Sequence, residues 1–497
     1  MAGHDYYGRT TDGKHENLNM QFANIVSGGG EYYRNTDGHT HTTTDSVIGD
    51  CMFCYCTSLK YIVLPESVTE IGSNAFSGCT SLATAEMDSV TAIGSYAFEG
   101  CTSLATASMP NVKTIGTSAF SGCTSLAEVD LSNVTTIGSN AFCYCKSLKS
   151  INPSNLESVG FMAFYSCVSL KKVELPKATT INEDAFAYCK NLTTVEIPNV
   201  KEIKNNTFLY CRNLQTLVLP NVTKIGDNAF EYCWTLKTID LPNATDIGKY
   251  SFSGCSELKS INIDHAMTLG DNAFEYCRNI TKIDLPHVIK IGEYSFLNCY
   301  NLDTINMSEV DSIGGNAFNG CTNLTTISIP NVTSIGEDAF VNNNNLTSDL
   351  TLAKIRNIPY GTFTNTSIST IKIPQTEVPV LESIGALPDN QCTIIVPASA
   401  LEAYRTANNW KDIWRNIIPD DAQMEMTVEV KAEDSGSGLQ TAVGEGALPY
   451  ITNLTLKGSI NSYDFMLFRN KMPNLHRIDL TETTIEANPY EFYTGSY

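Results

Sequence analysis

A phenylalanine returns every 22 residues over most of this chain. The column runs through Phe76, Phe98, Phe120, Phe142, Phe164, Phe186, Phe208, Phe230, Phe252, Phe274, Phe296, Phe318 and Phe340, and steps of 23 extend it to Phe53 and Phe363. Fifteen of the 20 Phe stand in this one slot, so most of the aromatic mass serves a single structural position. The surrounding phrase returns with it, as IGSNAF at Ile71–Phe76, IGKYSF at Ile247–Phe252 and IGEDAF at Ile335–Phe340. Such a period demands a stack of like units.

A period of 20 to 29 residues with Leu at regular offsets and one short strand per copy is the signature of a leucine-rich repeat solenoid. The consensus is C-x-x-L-x-x-I-x-L-P-x-V-x-x-I-G-x-x-A-F-x-x. In Leu324–Pro330 (LTTISIP), Ile327 and Ile329 alternate with Thr326 and Ser328, the period of a half-buried strand. The proline ends it, having no N–H for a ladder. The Gly four residues before each Phe is expected to supply a turn with positive φ. Asn182 replaces it in one copy, which a left-handed turn tolerates; Lys204 in the next is a true departure, and local adjustment is expected there. One unit cannot bury its own apolar edge, and stability comes from stacking. The expected fold is an α/β leucine-rich repeat solenoid, mostly β with short strands and little helix. It forms a right-handed curved array of about 15 repeats, on the order of 70 Å long at one strand spacing per rung, with a helical C-terminal cap.

Four segments follow: an N-terminal flanking segment 1–43, the repeats 44–390, a cap 391–420 and the start of a second small repeat module 421–497. In the first, Leu18, Met20 and Phe22 alternate with polar residues, as a strand capping the first rung would. In the cap, Cys392–Val396 reads as a strand, and Ser399 with Glu402 as a capping box. Leu401, Tyr404, Trp410, Ile413, Trp414 and Ile417 supply its apolar stripe. The stripe shields the last rung, with a tryptophan platform for sugars as the sharper alternative. In the last segment, strands at Met426–Val430, Ile451–Leu456 and Leu475–Leu480 flank a helix near Tyr463–Asn470.

The formal charge is −21, with charged residues only 17% of the chain, which argues against nucleic acid and anionic membrane surfaces as partners. No apolar run approaches the roughly 20 residues of a membrane span, and the N-terminus has no basic-then-apolar secretion signal. Thirteen of the 17 Cys, from Cys56 and Cys79 to Cys321, lie three residues after a column Phe. That placement points to an unpaired, buried thiol ladder. Asn343 takes the slot in the last regular copy.

The chain carries no HExxH, P-loop, G-x-S-x-G or dinucleotide fingerprint, so catalysis and cofactors are not expected. Cys51 to Cys54 spells CxxC, but Cys56 is the ladder slot and no second ligand pair follows. His39 and His41, with Asp37 and Asp45, read as solvated loop residues rather than metal ligands. The solvent-facing strand column is the leading candidate. It contains Glu86, Asp130, Glu174, Glu196, Asp240 and Asp284 beside a Thr/Ser column, a concave acidic strip suited to a basic protein partner. Most of these acids alternate with neutral residues, as charge avoidance alone would also produce. Glu174 and Glu196 fall on adjacent rungs, where they repel unless bridged, by calcium for example. Tyr188, Tyr210, Tyr232 and Tyr276 recur just before ladder cysteines, with Trp234 just after one, as candidate rim contacts for protein or glycan.

The repeated phrase, with Ile394-Ile395-Val396-Pro397, Tyr404 and Trp410 near its end, resembles the BspA-like, Treponema-type leucine-rich repeat family over residues 44–420. Residues 421–497 resemble the start of a second module in large surface proteins of Bacteroides-like bacteria. The resemblance implies an exported or cell-surface, adhesin-like, non-enzymatic protein that binds host or neighbouring-cell proteins. A carbohydrate-binding or spacer role is the alternative.

Overall fold

The computed structural model describes residues 3–4, 10–11, 17–21, 28–34, 40–388, 392–420, 424–432, 437–444 and 447–487. It is a parallel β-solenoid of stacked coils with little helix. The chain divides into two compact units, Met1–Val288 with Tyr294–Leu302, and Ile289–Glu293 with Asp303–Tyr497.

In the first unit each rung contributes one strand to each of two parallel ladders. The three-residue ladder begins at Asn17–Asn19, which pairs with Tyr61–Val63 as an added first strand, and continues through Thr84–Glu86 and Thr106–Ser108. The middle residue of each strand points inward and its neighbours face solvent. The two-residue ladder carries the Ile before each glycine, as in Ile93 paired with Ile71 and Ile115. Between the ladders lies the core. The column phenylalanines from Phe76 to Phe296 are fully buried, and consecutive rings stack at 5.0–5.7 Å with interplanar angles of 10° or less.

The ladder cysteines are free thiols in this core. From Cys79 to Cys299 each Sγ–H donates to the carbonyl of the column Phe 25 or 26 residues earlier, at 3.0–3.3 Å. Burial pushes the Cys189 thiol up to about 12 and the Cys143 thiol to about 11. Asn343 inherits both slot and bond, its Nδ2 donating to Phe318 O at 2.9 Å and Phe340 O at 2.7 Å.

The glycine expectation needs correction. Positive φ falls two residues later, at Asn74 (57°), Asn140 (57°), Asn228 (55°) and their counterparts, and not at Gly72, Gly138 or Gly226. The glycines are required by close approach. A Cβ on Gly94 would stand 2.8 Å from the carbonyl carbon of Gly72, and one on Gly160 2.4 Å from that of Gly138. Where Asn182 and Lys204 fill this slot the rungs separate. The two-residue ladder stops at Thr180–Ile181 and resumes at Glu202–Ile203, and Phe186–Phe208 is the widest ring spacing recorded in the column, 5.7 Å. Lys204 Nζ donates to Asn182 Oδ1 across the gap, and Asn182 Nδ2 donates to Val159 O on the still-paired side.

In the second unit the Phe column continues through Phe318, Phe340 and Phe363. Strands Leu350–Thr351, Thr370–Lys372, Thr393–Val396 and Ile417–Pro419 form a four-stranded parallel sheet. The cap is helical, Leu401–Thr406 followed by the 3-10 segment Trp410–Asn416. Its capping box does not form. Ser399 lies inside a 3-10 turn that starts after Pro397, and the helix that begins at Leu401 has Ala400 as its N-cap, with no side-chain cap. Trp410 is 1% exposed, packs edge-on to Tyr404 and donates Nε1–H to Pro379 O, so it is core and not a platform. Beyond it a three-stranded parallel sheet, Met424–Val430, Ile451–Ile460 and Arg477–Ile485, is interleaved with helices Gly438–Val443 and Ser462–Asn470.

Candidate functional site

Parallel register fixes the strand face. In-register pairing sets Thr84 beside Thr106 and Glu174 beside Glu196, so within each paired stretch a third-position side chain stands one strand spacing from its neighbours. Glu86, Asp130, Glu174, Glu196, Asp240 and Asp284 all reach solvent there as exposed or half-buried groups. Their partners differ. Glu86 accepts the Tyr61 hydroxyl at 2.7 Å, Asp130 accepts the Ser132 amide at 3.0 Å, and Asp240 accepts Asn262 Nδ2 at 2.7 Å. Lys172 pairs with Glu174 on its own strand, and Lys282 with Asp284 at 2.9 Å. Glu174, then Glu196, hold the Lys172 ammonium's pKa above its usual value. Of these two adjacent carboxylates, Glu174 is thus paired with a lysine whose charge also acts on Glu196. Among the described residues no group of three His, Cys, Asp or Glu could hold a metal ion.

The strand face also has relief that the repeat does not announce. Its ladder is interrupted between Glu128–Val129 and Ser150–Ile151, between Thr216–Val218 and Thr238–Asp240, and between Ser260–Asn262 and Lys282–Asp284. Next to the first seam, Pro153 fills the slot where other rungs place Leu, Ile or Met, and has no amide to donate. At the second, the turn before Thr238 departs from the pattern, with both Thr235 N and Oγ1 bonded to Arg212 O. Shallow depressions lie at the first two seams. One, of about 420 Å³, is lined by Thr106, Ser108, Glu128, Asp130, Ser150 and Asn152 over Ala107, Val129 and Leu131. The other, of about 450 Å³, is lined by Gln215, Thr216, Thr238, Asp240, Ser260 and Asn262 over Leu217, Ile239 and Ile261. Val218, 41% exposed, stands beside the second.

The rim tyrosines occupy a backbone position with positive φ: 62° at Tyr188, 58° at Tyr210, 57° at Tyr232 and 58° at Tyr276. That explains why glycine alternates with them, as at Gly78 and Gly254. A tyrosine held there costs about 1 kcal/mol, and ring contact offsets it. Tyr188 and Tyr210 stack at 5.0 Å, Tyr210 and Tyr232 lie 4.7 Å apart, and the Tyr232 ring covers Gly254. The Arg212 guanidinium lies over Trp234 at 4.2 Å and Tyr210 at 5.3 Å, and Arg278 over Tyr276 at 5.8 Å. The ring faces are largely spent on one another, so the rim presents edges, hydroxyls and the half-exposed Trp234.

Beside this stack, burial, then the charge of Glu275, pushes Glu231 up to about 7. A carboxyl whose folded pKa is raised adds stability below its unfolded value and loses it as pH rises through the folded one. The protein is therefore expected to be more stable near pH 5 than near pH 8. Glu231→Gln should flatten the difference by about 1 kcal/mol, allowing for screening of a half-exposed group. Melting curves of both proteins across that window check this.

Of the remaining sequence candidates, Cys54 and Cys56 are buried and Cys51 is half-buried. Asp37 and His39 lie outside the described residues.

With the fold and its strand face in place, comparison with known proteins is informative. The profile of the BspA type leucine rich repeat region matches residues 34–149, 135–259, 179–286 and 267–384. A crystallised leucine-rich repeat protein from Bacteroides ovatus is 24% identical and superposes with a TM-score of 0.56, covering 76% of this chain and 98% of its own. A leucine rich cell surface protein from Faecalibacterium prausnitzii is 25% identical over 74% of this chain and 91% of its own, with a TM-score of 0.36. No curated protein matches. Among the described residues no helix is long and apolar enough to cross a membrane. The profile spans the same rungs that stack Phe on Phe and Cys on Phe carbonyl, and the chain belongs to the BspA-type leucine-rich repeat family, whose repeats form protein-interaction modules.

Proposed function

We propose that this protein is an adhesin-like binding protein of the cell surface or the extracellular space, and that its strand face docks a basic region of a protein partner. The observation that carries the reading is the register of the six carboxylates along one solvent face. Among the described residues only Glu174 and Asp284 of the six have a lysine partner. The rest leave a net negative strip on a chain of formal charge −21. Complementary charge of this kind steers encounter and selects partners. The role is binding and not catalysis. Glycan binding ranks second because the tyrosine faces that would stack on sugar rings already stack on each other.

The test is a binding panel of purified basic and acidic proteins at low and high salt. Glu174→Lys, Glu196→Lys and Asp240→Lys together should weaken a basic partner about tenfold, with a shallower salt dependence. Tyr210→Ala and Trp234→Ala should matter less. Binding indifferent to the three reversals removes the strip from consideration.

A further inference from the structure

The two depressions are copies of one another. Asp130 and Asn152 at the first correspond to Asp240 and Asn262 at the second, five 22-residue steps later, and Thr106 and Ser150 correspond likewise to Thr216 and Ser260. Both sit at interruptions of the same ladder, both lie in the first compact unit, and neither lining includes a lysine or arginine. Five strand spacings place them about 24 Å apart on one face.

Each depression combines two chemistries. The seam uncovers apolar side chains that are sealed elsewhere: Val173 and Val195 are fully buried, whereas their counterparts Val129, Leu217 and Ile261 are partly exposed. At the rim stand a carboxylate and an amide. Asn262 holds the Asp240 carboxylate through its 2.7 Å bond, and Glu128 adds a second carboxylate at the first site. A long cationic side chain satisfies both, laying its methylene stem on the apolar floor and its charged head against the carboxylate. An anion is repelled by the rim, and a wholly apolar group leaves the rim unsolvated.

We propose that the two depressions form a paired seat for one extended, basic segment of a protein partner, each receiving one lysine or arginine side chain, with the two cations about eight positions apart, an even spacing that keeps both on one face of the segment. This rests on the protein-docking reading above and adds where the cations sit and how far apart they must be. Occupying both seats at once makes the second contact intramolecular, so affinity depends on whether the segment can span the gap.

The experiment uses the full chain and synthetic peptides of neutral polar residues carrying two lysines, either two or eight positions apart, with affinity followed by fluorescence anisotropy at one ionic strength. The eight-position peptide reaches both seats and the two-position peptide does not, so the former should bind about tenfold more tightly. Asp240→Asn, or Asp130→Asn with Glu128→Gln, each removing one seat, should make the two peptides bind alike. Glu183→Gln, at an exposed carboxylate outside the strip and both depressions, should preserve the preference, and unchanged circular dichroism melts would show each variant folded. Equal affinity for both peptides, or a preference that survives Asp240→Asn and the Asp130→Asn, Glu128→Gln pair, overturns the paired seat. If both peptides bind equally and Glu174→Lys weakens both, the acidic strip stands and only the pairing falls. If neither binds while a neutral oligosaccharide does, both readings fall.

Discussion

Phe230→Ala is expected to destabilise the array by about 3–5 kcal/mol, the range for deleting a fully buried aromatic ring. Phe230 is sealed from solvent and stacks on Phe208 at 5.5 Å and Phe252 at 5.4 Å, so its loss breaks two ring contacts and opens a cavity that neither neighbour can fill. The neighbours are fixed because each is also stacked on the far side. Phe230→Leu, which keeps more of the volume, should cost less. Because coupling in a solenoid runs between nearest rungs, the loss should concentrate in rungs 208–252 and fade outward. Urea melts and amide exchange of these rungs measure both size and reach. An unchanged melting midpoint would mean that the Phe column is not the core.

Asp464→Ala should unfold the strand-and-helix module near the end of the chain, at a cost of roughly 2–4 kcal/mol. Asp464 is fully buried, and three groups donate to its carboxylate: Ser437 Oγ at 2.5 Å, the Leu439 amide at 2.8 Å and the Asn461 amide at 2.9 Å. It caps helix Ser462–Asn470 from within and ties the start of helix Gly438–Val443 to it. Alanine leaves these donors buried without an acceptor. Faster amide exchange in both helices, with the Phe-column rungs unaffected, is the expected signature. Protection retained in Gly438–Val443 would show that the carboxylate does not join the two helices.

The Phe and Cys columns are legible in the sequence because every copy of a slot meets the same neighbours, so a residue type repeats wherever its environment does. The glycine column is legible as a constraint and misleading as to cause. Gly72 and its counterparts recur because the preceding backbone leaves no room for a Cβ, a relation between rungs that one rung's sequence does not contain. The left-handed position falls on Asn74 and its counterparts, among them Tyr96, Met162 and Asp184, and that mixture hides it. The acidic strip is legible as a column, but its neutralisation at Glu174 depends on Lys172, two residues away on the same solvent face. The seams are the least legible part. Pro153 marks one, whereas Thr216–Val218 and Thr238–Asp240 keep the consensus, and their separation accompanies a turn rebuilt around Thr235.

The thiol bonds give the stack a direction. From Cys79 to Cys299 every Sγ–H reaches back to a carbonyl that precedes it in the chain, and Asn343 does the same with its amide. A polypeptide delivered amino end first, from a ribosome or through an export pore, therefore finds each acceptor already in place when the donor arrives. Growth from the opposite end would leave each newly added sulfhydryl waiting for a seat not yet built.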